Sequence, residues 1–123
     1  MNLSKLESLA RAAFWICVAI IVYLSLVPGS MRPHTMVSGH AEHFIAYAGT
    51  GFLFAIGSRL RERIIVALGL AALSGLVELT QLAIPGRTGE FAGFFYSTLG
   101  AWSGLLAGAA AWACWRGFAM RRI

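Results

Sequence analysis

The sequence contains no aspartate, a single lysine and two cysteines, and charged residues make up only 12% of its 123 residues. A soluble domain of this size has to cover its core with charged side chains, so this scarcity of charge argues against a soluble globular protein. Hydrophobic residues account for 59% of the chain. The composition therefore predicts a protein that is embedded in a membrane.

Several functional motifs are also missing from the sequence. It has no phosphate-binding glycine-rich loop, no nucleophile elbow and no dinucleotide fingerprint, so ATP-driven and hydride-transfer chemistry are not supported and no cofactor is expected. The two cysteines, Cys17 and Cys114, fall at different depths of the first and last apolar stretches and lack soft ligands nearby. We therefore expect them to pack in the interior, with no disulfide and no metal.

Four long apolar stretches run through the chain, each close to the roughly 20 residues that cross a hydrocarbon layer as a helix. A chain of this length cannot close a membrane barrel from uninterrupted apolar runs, so the helical alternative is favoured. The sequence predicts an all-α fold, a four-transmembrane-helix bundle that forms a single integral membrane domain over residues 1–123. The predicted spans cover residues 12–27, 41–58, 64–84 and 91–115.

The first stretch has one alternative interpretation, because Lys5 and Arg11 precede it as in the charged leader of a secretion signal. Pro28 and Gly29 follow the stretch, and no small-x-small cleavage site precedes the next span. These features favour a membrane span over a cleaved signal.

Positive charge is distributed unequally between the segments that join the spans. With the N-terminus in the cytoplasm, the two outer loops carry only Arg32 and Arg87 of the ten basic residues. Short cytoplasmic loops are enriched in Lys and Arg, so we expect both termini to be cytoplasmic. We interpret the net charge of +5 as a determinant of topology, and we expect the basic residues to contact lipids of the inner leaflet. No nucleic-acid partner is expected. The other eight basic residues are Lys5, Arg11, Arg59, Arg61, Arg63, Arg116, Arg121 and Arg122.

Two features of the sequence suggest how the helices are related. The first and third spans both end in an aliphatic residue followed by Pro-Gly, at residues 27–29 and 84–86, which fits either an internal repeat of two hairpins or a common turn signal. The last span carries Gly100, Gly104 and Gly108 at four-residue spacing, and Gly93 and Ser97 roughly continue the stripe. Small residues at this spacing let helix backbones approach, either within the bundle or in a homo-oligomer.

Glu78 is an ionisable residue inside the third predicted span, six residues before its end. Ser74 and Gln81 share its helical face. A carboxyl at this depth costs a few kcal/mol unless it meets a partner or a wet cavity, so we expect Glu78 to face the bundle interior.

A second set of polar residues is expected at the same depth. His40, His43 and Tyr47 share one face at the outer start of the second span, and Arg87 directly follows the helix that carries Glu78. Glu42 lies about 100° round that helix from His43. It can pair with a loop arginine or lie at the membrane interface, where the helix dipole favours a carboxylate near the helix N-terminus. The outer third of the bundle thus collects a proton carrier, an acid, an amide and an anion binder. The predicted ligand-binding residues are His43, Tyr47, Glu78, Gln81 and Arg87.

Four of these residues also have a structural interpretation. His43 can be an interfacial helix residue with no ligand role. Glu78 can be neutralised by Arg87 or hydrogen-bonded to His43, in a buried pair that fixes helix register. Gln81 can join helices through its amide, and Arg87 can anchor to lipid headgroups instead of recognising one phosphate. Because these residues are expected at one depth, the set as a whole supports a functional site more strongly than any one residue does alone.

Five short motifs occur in a fixed order over residues 25–108. They are Ser-Leu-Val-Pro at 25–28, His-Phe-x-x-Tyr at 43–47, Glu-x-x-Gln at 78–81, Pro-Gly-Arg at 85–87 and a glycine-rich last stretch. In these motifs the chain resembles the VanZ-like family of small bacterial membrane proteins, which is named for a teicoplanin-resistance accessory protein. The resemblance implies a multi-pass protein of the bacterial cytoplasmic membrane, an envelope role and glycopeptide tolerance in some members, but no defined reaction.

The chain departs from the family pattern at four positions. Gly39-His40 stands where the family usually has Asp-Lys, and Gly93 and Ser97 stand where it usually has Asp and Asn. Two typical carboxylates are therefore missing. If they serve catalysis or ion binding, this chain has lost that role or has replaced it through Glu42 and Glu90.

Three functional hypotheses follow. The first is an envelope protein that binds a lipid-linked or anionic glycan precursor or a phospholipid, with Arg87 on phosphate. The second is an intramembrane enzyme that acts on such a lipid, with His43 and Glu78 as acid and base. The third is a scaffold or small transport subunit whose polar cluster is structural. A zinc-protease site is excluded because His40 and His43 lie three residues apart, and only an adventitious metal site including His34 remains.

Overall fold

The computed structural model describes residues 2–31 and 38–122, and within them the chain forms four α-helices and no strand. The all-α prediction is confirmed. A short 3-10 turn, Gly29–Met31, follows the first helix. The helices are α1 (Leu3–Leu26), α2 (Gly39–Ala55), α3 (Leu60–Gln81) and α4 (Phe91–Arg121).

The starts of α1 and α2 are set by N-cap side chains that accept hydrogen bonds from unpaired backbone N–H groups. The Asn2 side chain accepts from the backbone of Lys5 at 2.8 Å, and the Ser38 hydroxyl accepts from Ala41 at 3.3 Å. Such caps stabilise a helix by about 0.5–2 kcal/mol. The Asn2 cap explains why α1 begins at Leu3, well before the predicted span 12–27.

Consecutive helices run antiparallel, so the molecule has two chemically different ends. Arg11, near the start of α1, donates to the Phe54 carbonyl oxygen at the end of α2, at 3.3 Å. Arg87, after α3, donates from Nε to the Val27 carbonyl oxygen at the end of α1, at 3.0 Å. The end that holds the starts of α1 and α3 carries the eight basic residues named above and is called the basic end. The opposite end carries the predicted ligand-binding residues and is called the site end.

Helices α2 and α4 form the closest pair in the bundle. A Cβ atom placed on Gly100, Gly104 or Gly108 would overlap the backbone of Phe44, Ala48 or Phe52 in α2. The glycine stripe therefore packs within the chain. Of the two alternatives left open by the sequence, the intrachain one matches the structure, because α2 covers the surface that a homo-oligomer would use.

Large hydrophobic side chains are exposed along all four helices. Examples are Trp15 on α1, Ile45 on α2, Leu68 on α3 and Leu106 on α4. Two helices, α1 and α3, are long and apolar enough to cross a membrane, as judged over the described residues. Helix α2 is shorter, with 17 residues, and the glycine and serine residues of α4 lower its mean hydropathy.

The two cysteines are free, but one expectation about them is wrong. Cys17 is half-buried, whereas Cys114 is exposed on α4. The periodicity of α4 places its glycine stripe towards α2 and turns Cys114 away from it.

The two Pro-Gly turns meet at the site end. The backbone N–H of Gly29 donates to the Pro85 carbonyl oxygen at 3.0 Å, and a Cβ at Gly29 would overlap the backbone of Gly86. Gly86 has a φ of +74°, a conformation that L side chains rarely adopt. The contact joins the ends of α1 and α3, and the internal repeat stays a prediction.

Candidate functional site

A cavity of about 260 Å³ lies at the site end between α1, the start of α2 and the end of α3. Its lining is amphiphilic, with one apolar and one polar part. The apolar part consists of Ile20, Ile21, Leu24 and Ala46. The polar part consists of Ser25, Glu42, His43, Tyr47, Gln81 and Arg87.

Four of the five predicted ligand-binding residues line this cavity, and the fifth, Glu78, lies behind one of them. Glu78 is buried and its Oε1 lies 3.6 Å from His43 Nδ1. The structure thus brings together side chains from α2, α3 and the loop after α3, as their common depth in the sequence suggests.

The Glu78 carboxylate is held by groups from two other helices. Its Oε2 accepts a hydrogen bond from the backbone N–H of Glu90 at 2.9 Å, and Oε1 faces His43. Glu90 is the N-cap residue of α4, and the start of a helix favours negative charge. The prediction that Glu78 faces the bundle interior matches this geometry.

Gly93 makes room for the Glu78 carboxylate. A Cβ atom at position 93 would overlap Glu78 Oε1, so any larger residue must displace the acid. Gly93 was predicted only as a small residue of the α4 stripe and as a departure from the family pattern. Its contact with Glu78 was not foreseen, because sequence spacing does not say which acid a small residue will meet.

His43 has two partners on one ring nitrogen. Nδ1 lies 3.1 Å from the Ser97 hydroxyl and 3.6 Å from Glu78 Oε1. A serine–histidine–carboxylate relay needs the two partners on opposite ring nitrogens, so these contacts do not form one. Ser97, another departure from the family pattern, is thus a site residue that the sequence reasoning treated as packing.

Arg87 binds the carboxyl-terminal end of α1. Its guanidinium donates to the carbonyl oxygens of Val27 and Leu24. The last carbonyls of a helix lack intrahelical partners and carry partial negative charge, so an arginine is stabilising there. Arg87 therefore has a structural role in addition to lining the cavity. From the sequence, only the charge of Arg87 could be used for a prediction, and its contact with α1 was not expected.

Gln81 and Tyr47 complete the wall between the helices. The Gln81 amide donates to the Ser25 carbonyl oxygen at 3.0 Å, which adds a third side-chain bond to the end of α1. Tyr47 is 3% exposed and shares a side-chain hydrogen bond with Ser74. The interhelical role predicted for Gln81 and the shared face of Ser74, Glu78 and Gln81 fit these contacts.

Glu42 lines the cavity beside His43 and Arg87. The sequence left its place open between pairing with a loop arginine and a position at the membrane interface. Its side chain is half-buried, and it brings a carboxylate into a cavity that also contains a guanidinium. Glu42 is not among the ligand-binding residues predicted from the sequence.

A second polar cluster lies outside the cavity on the surface of the site end. The His40 ring stacks on Tyr96 with centroids 4.8 Å apart, and His40 Nε2 lies 3.6 Å from Glu90 Oε2. No group of three His, Cys, Asp or Glu side chains is close enough to hold a metal ion within residues 2–31 and 38–122. Two residues named from the sequence lie outside the described residues. They are Arg32, which was counted among the loop charges, and His34, which was considered for an adventitious metal site.

Comparison of the chain with protein-family models, with curated proteins and with solved structures gives no match. The functional argument therefore rests on the residues and geometry of the cavity.

Proposed function

We propose that this protein is a four-span protein of the bacterial cytoplasmic membrane that binds the phosphate-bearing headgroup of a lipid in the site-end cavity. The observation that carries the proposal is the amphiphilic cavity lining, with Arg87 and His43 at one part and Ile20, Ile21 and Leu24 at the other. An amphiphile matches both parts at once, whereas a wholly polar solute matches only one.

The membrane position of all four helices is supported by their surfaces. Exposed hydrophobic side chains occur on α2 and α4 as well as on α1 and α3. The 17 residues of α2 give a length of about 26 Å, close to the roughly 30 Å hydrocarbon layer. By the positive-inside rule the basic end faces the cytoplasm and the site end faces outward.

Phosphate is the favoured anion because of the donors that Arg87 and His43 bring to the cavity lining. Arginine presents a planar fork of donors that matches phosphate oxygens, and a histidine ring N–H adds a further donor. Charge-assisted hydrogen bonds contribute about 1.5–3 kcal/mol each. Arg87 is also fixed in place by the end of α1, which reduces the entropy lost on binding.

The cavity volume limits what can be enclosed. About 260 Å³ is slightly less than the roughly 300–1,000 Å³ of pockets that enclose drug-sized ligands. A phosphate with a few attached carbon atoms fits this volume, and the sugars of a lipid-linked glycan precursor would remain outside. The geometry therefore favours a phospholipid, with a lipid-linked precursor as a second source of the same phosphate.

The link to the VanZ-like family and to glycopeptide tolerance stays a hypothesis that rests on the motifs at residues 25–108. An intramembrane enzyme with His43 and Glu78 as acid and base stays the alternative hypothesis. We propose binding because the amphiphilic lining of the cavity supports it. The following experiment distinguishes lipid binding from the third hypothesis, a scaffold whose polar cluster is purely structural.

The test is a native mass spectrometry titration of the detergent-solubilised protein with phosphatidylglycerol. Arg87→Gln should weaken the apparent affinity at least tenfold, because it removes a charge-assisted contact equivalent to about 1.4 kcal/mol or more. The same variant should remain folded and inserted in the membrane.

Arg63→Gln is the matched control for the structural role of Arg87. Arg63 donates to the Ala55 carbonyl oxygen at the end of α2, at 3.1 Å, and so caps a helix at the basic end. This variant should lose stability in a similar way and keep its affinity for phosphatidylglycerol. Unchanged affinity in Arg87→Gln, or an equal loss in both variants, would contradict the proposed function.

A further inference from the structure

We propose that the headgroup bound in the cavity is zwitterionic, with a primary ammonium group beside the phosphate, as in phosphatidylethanolamine. This inference rests on the proposed function and names the lipid class for the same cavity. Its basis is Glu42, a carboxylate that lines the cavity together with Arg87 and His43.

The charges of the lining decide between an anionic and a zwitterionic headgroup. A purely anionic headgroup on Arg87 brings negative charge near the Glu42 carboxylate, and Glu78 adds a second carboxylate behind His43. Like charges that are brought together in a partly desolvated cavity repel each other. An ammonium group on Glu42 removes this repulsion and adds an ion pair.

A zwitterion also preserves the balance of charge within the cavity. The positive charge of Arg87 and the negative charge of Glu42 both belong to the cavity lining, and a zwitterion adds one charge of each sign to them. A lone anion adds negative charge only. The lining thus favours a ligand that carries both charges.

The aromatic content of the lining distinguishes a primary ammonium from a choline group. Quaternary ammonium groups are recognised by cages of several aromatic rings. Among the described residues that line the cavity, Tyr47 is the single Phe, Tyr or Trp, and it is already buried against α3. A primary ammonium instead donates hydrogen bonds, which the carboxylate of Glu42 and the carbonyls and hydroxyls near it accept.

The apolar part of the lining gives the path of the lipid chain. Ile20 is 50% exposed and Leu24 is 36% exposed, so the cavity opens to the outer surface of α1. Ala46 of α2 lines the same cavity. A chain attached to the phosphate can leave between α1 and α2 into the surrounding bilayer, which distinguishes a lipid from free phosphoethanolamine.

The test is a native mass spectrometry competition among phosphatidylethanolamine, phosphatidylcholine and phosphatidylglycerol of identical chains. The wild-type protein should bind phosphatidylethanolamine at least tenfold more tightly than the other two. Glu42→Gln should reduce this preference over phosphatidylglycerol to less than threefold, and Glu42→Asp, which keeps the charge, should retain most of it. Free phosphoethanolamine should compete only at much higher concentration, because it lacks the chain.

Glu90→Gln is the control, since Glu90 lies at the same end but its exposed side chain lies outside the cavity lining. It should leave the preference unchanged. Equal binding of phosphatidylethanolamine and phosphatidylglycerol, or a preference that survives Glu42→Gln, overturns this inference and leaves the proposed function standing. Absence of any bound phospholipid overturns the proposed function and the inference together.

Discussion

At the scale of single residues, Glu78 shows how a carboxyl is accommodated inside an apolar bundle. Its burial and its common face with Ser74 and Gln81 follow from periodicity and from the cost of charge in a membrane. Its partners could not be predicted, because the backbone N–H of Glu90 and the space at Gly93 depend on how α4 docks on α3. The sequence alone identifies Glu78 as an acid inside an apolar stretch, whereas the groups that stabilise it are known only from the packing of the helices.

A double-mutant cycle tests the contact between Gly93 and Glu78. Gly93→Ala should lower the free energy of unfolding by about 1–3 kcal/mol, because its Cβ displaces a carboxylate that Glu90 and His43 hold in place. In a Glu78→Ala background the same change should cost much less, which a thermal melt in detergent can measure. Additive effects of the two substitutions would mean that the side chains do not meet.

At the scale of helices, the sequence predicted the number and type of the elements better than their contacts. Asn2 and Ser38 explain the starts of α1 and α2, and the glycine stripe of α4 indicated a close neighbour. The identity of that neighbour, α2, was not determined by spacing, because a second chain presents the same kind of surface. The contacts of Arg11 with the Phe54 carbonyl oxygen and of Arg87 with the Val27 carbonyl oxygen were also unforeseen, since each joins segments that are distant in the sequence.

The seam between α2 and α4 gives a prediction with a control on the same helix. Gly104→Ala should lower the thermal stability, at a cost of about 1–3 kcal/mol, because its Cβ meets the α2 backbone, which cannot move aside. Gly117→Ala meets nothing within 4 Å and should be neutral or stabilising by up to about 1 kcal/mol through helix propensity. Equal effects of the two substitutions in thermal melts would contradict the packing described.

At the scale of the whole molecule, the two ends of the bundle differ in charge and in the residues that they carry. The basic residues gather where α1 and α3 begin, and the cavity lies where they end. The charge pattern alone indicated this separation, since four antiparallel helices place alternate loops together. The cavity itself was beyond sequence reasoning, because its volume depends on the gap between α1 and α2.

Orientation is tested by thiol labelling in a background with Cys17→Ala and Cys114→Ala. Single cysteines are introduced as Ser4→Cys at the basic end and Thr88→Cys at the site end. A membrane-impermeant reagent should label Thr88→Cys in intact bacterial cells and Ser4→Cys only after permeabilisation, as the positive-inside rule requires. The reverse pattern would place the cavity on the cytoplasmic side.

The central claim, that a phospholipid occupies the cavity between α1 and α2, is tested most directly by photo-crosslinking in reconstituted membranes. The probe is a phosphatidylethanolamine with a diazirine near the glycerol, and adducts are located by peptide mass spectrometry. The account predicts adducts concentrated at Ile20, Leu24 and Ala46 that excess unlabelled lipid displaces and that Arg87→Gln removes. Adducts spread equally over the exposed faces of α3 and α4, such as Leu68 and Leu106, would contradict it.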